Sequence, residues 1–158
     1  MKRHIMTITM LLLILALGLP AIADELKGGA MSVDIPDQWS GVYEPGNKQF
    51  QITAPDESYF LAVQVVDNGG KSAQEFAQLM TKELNGTEPK KMGNEHYSIS
   101  ANVAGMDTDV AIRNAGPKTL VYMEIGDPQK FVKDVKKINE SLKSSSLEEQ
   151  AAFDLLKQ

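Results

Sequence analysis

The sequence contains no cysteine among its 158 residues. This absence excludes disulfides, thiol catalysis and a lipid-modified cysteine. Histidine is also scarce, with only His4 and His96 present. A zinc or copper site normally needs several imidazole or thiolate ligands, so we expect no metal site within one chain and no cofactor. The core is expected to hold by packing alone.

Positively charged residues are also few: the sequence has 16 Lys and Arg against 21 Asp and Glu, which gives a net charge of −5. General nucleic-acid binding requires a positive surface that displaces counterions from phosphates, so no nucleic-acid partner is expected. The sequence also lacks the G-x-S-x-G motif of a nucleophile elbow and a glycine-rich phosphate loop. These absences predict that the protein is not an enzyme.

Long apolar runs are missing except at the start of the chain. Residues 2–4 are basic, residues 5–19 are mostly apolar, and small residues occupy Ala21 and Ala23. This order is typical of a secretory signal peptide over residues 1–23, with cleavage expected after Ala23. The alternative is an uncleaved anchor, but about 15 apolar residues are fewer than the roughly 20 of a spanning helix. We therefore expect a periplasmic or secreted protein with no stable membrane span.

Cleavage would leave 135 of the 158 residues, enough for one domain. It would also remove Lys2 and Arg3 and lower the net charge from −5 to about −7. Residues 24–30 contain two glycines and are expected to form a flexible lead-in.

Alternating apolar and polar residues predict the strands that follow. They occupy residues 31–35, 49–53, 59–66, 96–103, 108–113 and 119–125, with a short edge segment at 41–44 and a further extended stretch at 87–91. Two of the strands, 59–66 and 119–125, are apolar on both faces and are predicted to be central in the sheet.

Three helices are predicted from spacing and capping signals. The first begins with a capping box at Ser72 and Glu75. The second has Asp127 as N-cap and Pro128 in its first turn, and its buried stripe is predicted to contain the apolar residues Phe131, Val132, Val135, Ile138 and Leu142. The third follows the serine linker 144–146, has a second capping box at Ser146 and Glu149, and presents Leu147, Ala151 and Leu155 on one side. We expect it to dock on its own sheet, with capture of a partner as the alternative.

These elements predict an α+β fold, an antiparallel β-sheet sandwiched between helices, over residues 31–143. An extra C-terminal segment, residues 144–158, would add the serine linker and an amphipathic helix.

Residues 31–39, MSVDIPDQW, form a strand that ends in Pro-x-x-Trp. This opening resembles that of the PsbP-like (Mog/PsbP) α/β/α sandwich family, which includes DcrB-type exported bacterial proteins. The later elements follow in the same order, so that the resemblance covers residues 31–143; the third helix departs from the pattern. The resemblance implies a non-catalytic accessory factor that binds a protein partner, and it provides no catalytic residues to transfer.

The main hypothesis is therefore a non-catalytic exported accessory or binding factor that acts through a protein partner in the cell envelope. The alternative is a small-ligand carrier or hydrolase with a pocket between sheet and helix, which could use His96 and a nearby carboxylate. Taken alone, His96 is interpreted as an exposed residue on the polar face of a strand. Asp107 and Asp109 share a strand face, where a hard cation could bind, but they are interpreted as the solvated start of a strand.

Two further features are open to both a functional and a structural interpretation. The lysines on the back of the second helix could meet an acidic partner or anionic lipid, although a solvated helix face is preferred; they are Lys130, Lys133, Lys136, Lys137 and Lys143. Trp39 could be an exposed binding residue, but a packing residue in the core or at its rim is preferred.

Overall fold

The computed structural model describes residues 25–157. The predicted signal peptide and the cleavage position after Ala23 therefore lie outside the described residues. Ten strands and three α-helices follow in chain order: β1 (Glu25–Gly28), β2 (Met31–Asp34), β3 (Ser40–Glu44), β4 (Gln49–Thr53), β5 (Tyr59–Asp67), α1 (Ala73–Leu84), β6 (Lys90–Gly93), β7 (His96–Val103), β8 (Met106–Ala115), β9 (Lys118–Gly126), α2 (Val132–Ser141), β10 (Lys143–Ser144) and α3 (Leu147–Asp154). One 3₁₀ turn, Pro128–Phe131, precedes α2, and another, Leu155–Lys157, follows α3.

The main sheet has seven antiparallel strands in the order β3-β4-β5-β9-β8-β7-β6. β9 is the middle strand of the seven. Its neighbour β5 pairs with it along nine residues, from Tyr59 opposite Gly126 to Asp67 opposite Lys118. β9 buries apolar side chains on both faces, and β5 buries them on one face and partly on the other, which confirms their predicted central position. The α+β class with an antiparallel sheet between helices is also confirmed.

Two hydrophobic clusters lie on opposite faces of this sheet. One face packs against α1, with Phe76, Ala77 and Met80 buried on Ile99, Val110 and Met123. The other face packs against α2, α3 and the small sheet, with Ile138 and Phe153 buried over Phe50, Tyr59 and Leu61. Trp39 is 4% exposed in this second cluster, with its ring edge-on to Tyr59 and Phe131. The preferred interpretation of Trp39 as a packing residue is confirmed.

A separate three-stranded sheet, β1-β2-β10, corrects the prediction at both ends of the domain. The flexible lead-in was wrong for residues 25–28, because they pair with β2 and Leu26 packs against the core. Gly29, with φ +60°, forms the tight hairpin turn rather than a flexible link. The serine linker was wrong for Ser144, which pairs with Met31 in β2.

The third helix docks on β8 and β9 of its own domain, as preferred, but through a different face. Ala152 and Phe153 are fully buried, whereas Leu147 is 88% exposed. Ala152 and Phe153 form the buried side. Glu149, half-buried beside them, accepts a hydrogen bond from Ser144 Oγ at 2.7 Å. This local bond satisfies the polar residue within the packed stripe. Residues 144–157 therefore belong to the same packed unit as the rest.

The second helix differs from its prediction in two places. Asp127 does cap the Pro128 turn by accepting the Gln129 amide at 2.9 Å. Val132, however, was predicted to be buried and is 54% exposed, because the chain changes from 3₁₀ to α geometry at this residue. The helix ends at Ser141, so Lys143 lies in β10 and not on the helix.

The two predicted capping boxes give a matched test. At α1 the box is confirmed: Ser72 Oγ accepts the Glu75 amide at 3.2 Å and Glu75 accepts the Ser72 amide at 2.8 Å. At α3 it was wrong, because the Ser146 side chain makes no cap bond. Ser72→Ala should cost about 1 kcal/mol and Ser146→Ala less than about 0.5 kcal/mol, measured by urea denaturation. Equal losses would contradict this assignment of the caps.

Candidate binding surfaces

The first candidate surface lies on the α1 side of the main sheet, where α1 covers only part of the strands. α1 packs against β7 and β8 and leaves β3, β4 and β5 without a covering helix. The open part, here called the β3 surface, consists of Val42, Gln51, Thr53, Phe60 and Ala62. Val42 is 41% exposed at its outer edge. A groove along these strands encloses only about 40 Å³, far below the roughly 300 Å³ of ligand pockets. The surface therefore suits a protein better than a small molecule.

The two edges of the main sheet are protected to different extents. β6 carries Lys90 and Lys91 and has an irregular register between Lys91 and Gly93. Edge lysines and bulges are devices that prevent a further strand from pairing. β3 contains no lysine and keeps a regular register with β4 from Ser40 to Glu44. Within residues 25–157, no other strand pairs with the outer side of β3.

The second candidate is a cleft between β9, α2 and the C-terminal turn, on the opposite face of the sheet. Its volume is about 320 Å³, within the range of small-ligand sites. Its walls include the apolar residues Val132, Val135 and Leu156, while Glu124 and Asn139 supply polar groups. The Arg113 guanidinium supports the C-terminal wall by donating a hydrogen bond to the Leu155 carbonyl.

A polar cluster lies at the sheet side of this cleft. The Tyr59 hydroxyl donates to Glu124 Oε1 at 2.6 Å, an interaction between residues 65 positions apart in sequence. Burial raises the pKa of Glu124, although the Tyr59 hydrogen bond partly opposes this change and the Asp109 carboxylate adds to it. Burial also raises the pKa of Tyr122, and the Glu124 carboxylate raises it further, while the neighbouring Asn139 and Tyr59 side chains oppose the change.

Two atoms of this cluster are buried without a hydrogen-bond partner, the Tyr122 hydroxyl and Asn139 Oδ1. The Tyr122 residue as a whole is only 6% exposed. A buried polar atom without a partner costs about 1–3 kcal/mol. Of the two residues, only Asn139 lines the cleft, and a ligand that satisfies its amide oxygen would be favoured.

His96, the predicted exposed histidine, is half-buried and pairs across the strands with Arg113. Partial burial lowers the pKa of His96, and the Arg113 charge lowers it further. The strand register places His96 two strands from Glu124 and four residues away along them, roughly 15 Å or more. The structure therefore does not bring His96 to the cleft.

The remaining candidate residues stay apart from both surfaces or at their margins. Asp109 accepts a hydrogen bond from Ser100 Oγ at 2.6 Å, and Asp107 is exposed. The described residues contain no cluster of three or more potential metal ligands. Lys136 lies 3.8 Å from Glu140 and Lys137 lies 3.8 Å from Asp134 on the exposed side of α2.

Among residues 25–157, no helix is long and apolar enough to cross a bilayer.

A pocket between sheet and helix was only the alternative expectation, and its residues could not be named from the sequence because its polar groups come from β5, β9 and α2. Glu124 interrupts the otherwise apolar run of residues 119–125. That interruption was the available signal, since a carboxylate in a strand buried on both faces requires a partner. The edge position of residues 41–44, by contrast, was predicted and is confirmed.

Comparisons with known proteins leave the family open. No family model and no curated protein matches the sequence. Similar solved structures include a protein from Bacteroides thetaiotaomicron, with 13% sequence identity and a TM-score of 0.47. The match covers 78% of this chain but only 49%, about half, of that protein. They also include the cyanobacterial PsbP (CyanoP) from Synechocystis sp. PCC 6803, at 13% identity and a TM-score of 0.47, covering 83% of this chain and 98% of that one. Similarity at this level does not establish the family, so the PsbP-like assignment stays a prediction.

Proposed function

We propose that this protein is a non-catalytic, exported binding factor that acts through a protein partner in the cell envelope. Export is proposed from the signal-peptide pattern of residues 1–23, which suggests a periplasmic or secreted location. The resemblance of residues 31–39 suggests, further, that the protein is related to the DcrB-type members of the PsbP-like family.

The unpaired β3 edge is the observation that supports this proposal most strongly. No strand among residues 25–157 pairs with its outer side, although β1 packs beside β3 near Gly41 and Tyr43. The adjoining β3 surface is partly apolar and too flat for a small ligand. An extended peptide that adds to such an edge gains main-chain hydrogen bonds and places alternate side chains on the neighbouring face. We therefore propose an extended segment of the partner as the occupant, with an apolar side chain against Val42.

The hydrolase alternative receives less support from the arrangement of His96. A histidine that acts as a general base is normally oriented by a carboxylate. Its cross-strand partner here is Arg113, and the cleft carboxylate of Glu124 is distant. This arrangement supports the proposal that the protein is not an enzyme.

Photo-cross-linking can locate the partner on one edge of the sheet. Benzoylphenylalanine would replace Glu44 in β3 or Lys90 in β6, both exposed, in cells that export the protein. We expect a discrete adduct from position 44 and at least about tenfold less from position 90. Similar adducts from both positions, or an adduct that is a dimer of this protein, would contradict the proposal.

A pair of lysine substitutions then tests the contact itself. Val42→Lys introduces a charge that must be desolvated when a strand pairs beside it, which should weaken partner binding about tenfold or more. Met92→Lys changes the exposed apolar residue of the other edge and should leave binding unchanged. Binding is measured as cross-linking yield from position 44, with thermal melting as the control for folding. Equal yields in the two variants would argue against β3 as the contact.

A further inference from the structure

The cleft between β9 and α2 is separate from the β3 surface, because the sheet itself lies between them. Tyr59 and Leu61 face the cleft side, whereas Ala62 packs on the α1 side. An inference about the cleft is therefore independent of the proposed partner contact and can fail or succeed without it.

The charge at the sheet side of the cleft favours a cation. Glu124 lines the wall of the cleft. Its Oε1 accepts the hydrogen bond from Tyr59, and within residues 25–157 no side chain or amide donates to its Oε2. A carboxylate withdrawn from water interacts more strongly with a cation than an exposed one does. Asn139 belongs to the same wall, and its amide oxygen is a second acceptor, buried without a partner.

The rest of the cleft favours an apolar body. Val132, Val135 and Leu156 line it, and Val132 is largely exposed there. The cations at the rim are each beside a carboxylate: Lys136 is 3.8 Å from Glu140, and Lys157 is 2.9 Å from Asp154. These exposed pairs reduce the repulsion that the rim would exert on a cationic ligand.

We propose that this cleft binds a small molecule with a protonated amine and a short apolar body, with the ammonium on Glu124 and Asn139 and the apolar part against Val132 and Leu156. The amine supplies N–H donors to acceptors that lack partners. The apolar part covers Val132, which the fold leaves in solvent.

Three probes of similar size and shape test this proposal by calorimetric titration of the purified protein. Phenethylamine carries the ammonium, phenethyl alcohol is neutral, and phenylpropionate is anionic. We expect phenethylamine to bind at least about tenfold more tightly than the other two, because a charge-assisted hydrogen bond in a partly buried site contributes that much. Equal binding of the amine and the alcohol, or tighter binding of phenylpropionate, would overturn the proposal.

Two substitutions locate the site and one serves as a control. Glu124→Gln keeps an acceptor for Tyr59 but removes the charge, so the amine affinity should fall about tenfold or more. Val132→Lys places a cation at an exposed wall position and should weaken binding severalfold without touching the buried cluster. Glu83→Gln, on the solvent side of α1, should leave affinity unchanged. Unchanged amine affinity in Glu124→Gln would overturn the proposal, and melting temperatures verify that each variant is folded.

Discussion

Phe153→Ala is expected to destabilise the protein by about 3–5 kcal/mol, although it lies in a short helix near the C-terminus. The Phe153 side chain is fully buried in the same cluster as Phe50, Tyr59 and Leu61. Its truncation removes a large apolar surface and leaves a cavity between α3 and the sheet. For a domain of this size the melting temperature should fall by on the order of 10 °C or more.

Leu147→Ala is the matched control, because Leu147 lies in the same helix and is 88% exposed. Its loss should change the free energy of unfolding by less than about 0.5 kcal/mol. Denaturant unfolding of both variants gives the two values. Equal effects, or an undamaged Phe153→Ala protein, would show that α3 does not pack as described and would weaken the account of the cleft, since Leu156 belongs to its wall.

Gly126→Ala should have an effect of similar size, roughly 3 kcal/mol or more, through the backbone. Gly126 has φ +98°, and an added Cβ would lie 2.1 Å from the Ser58 carbonyl oxygen, which cannot move aside as a side chain could. Strained backbone and overpacking each cost about 1–3 kcal/mol. Gly126 also pairs with Tyr59 and leads into the Asp127 cap, so its displacement would disturb the Tyr59–Glu124 contact.

Gly116→Ala separates the conformational cost from the clash. Gly116 has φ +57°, and nothing lies within 4 Å of an added Cβ. It should therefore lose only about 1 kcal/mol. Urea denaturation of both variants measures the difference. A Gly126→Ala loss no larger than that of Gly116→Ala would contradict the close approach of β9 to Ser58.

Most strands of the main sheet were predictable because each carries its own signal. Residues 59–66 and 119–125 are apolar on both faces, and this property alone places them in the centre of a sheet. The first capping box was equally local, since both partners lie within four residues. Such features depend on neighbouring residues and therefore appear in the sequence.

Features that depend on distant residues were missed. β1 forms because β2 and the core accept Leu26, and nothing within residues 24–30 indicates this. The helical wheel of α3 favoured Leu147, Ala151 and Leu155, and Glu149 was assigned to a capping box, whereas in the structure Glu149 accepts a hydrogen bond from Ser144. The cleft likewise requires the strand register that brings Tyr59 to Glu124.

Hydrogen–deuterium exchange of this protein, measured with and without the partner that cross-linking identifies, tests the central proposal most directly. Pairing of a partner strand would place new hydrogen bonds on outward-facing amides of β3, residues 40–44, and exchange there should slow by at least about tenfold. Residues 90–93 of β6, with their lysines and irregular register, serve as the internal control and should not change. Slower exchange in β3 alone is the result we predict; protection of β6 instead, or no change in β3 under saturating partner, would contradict the account.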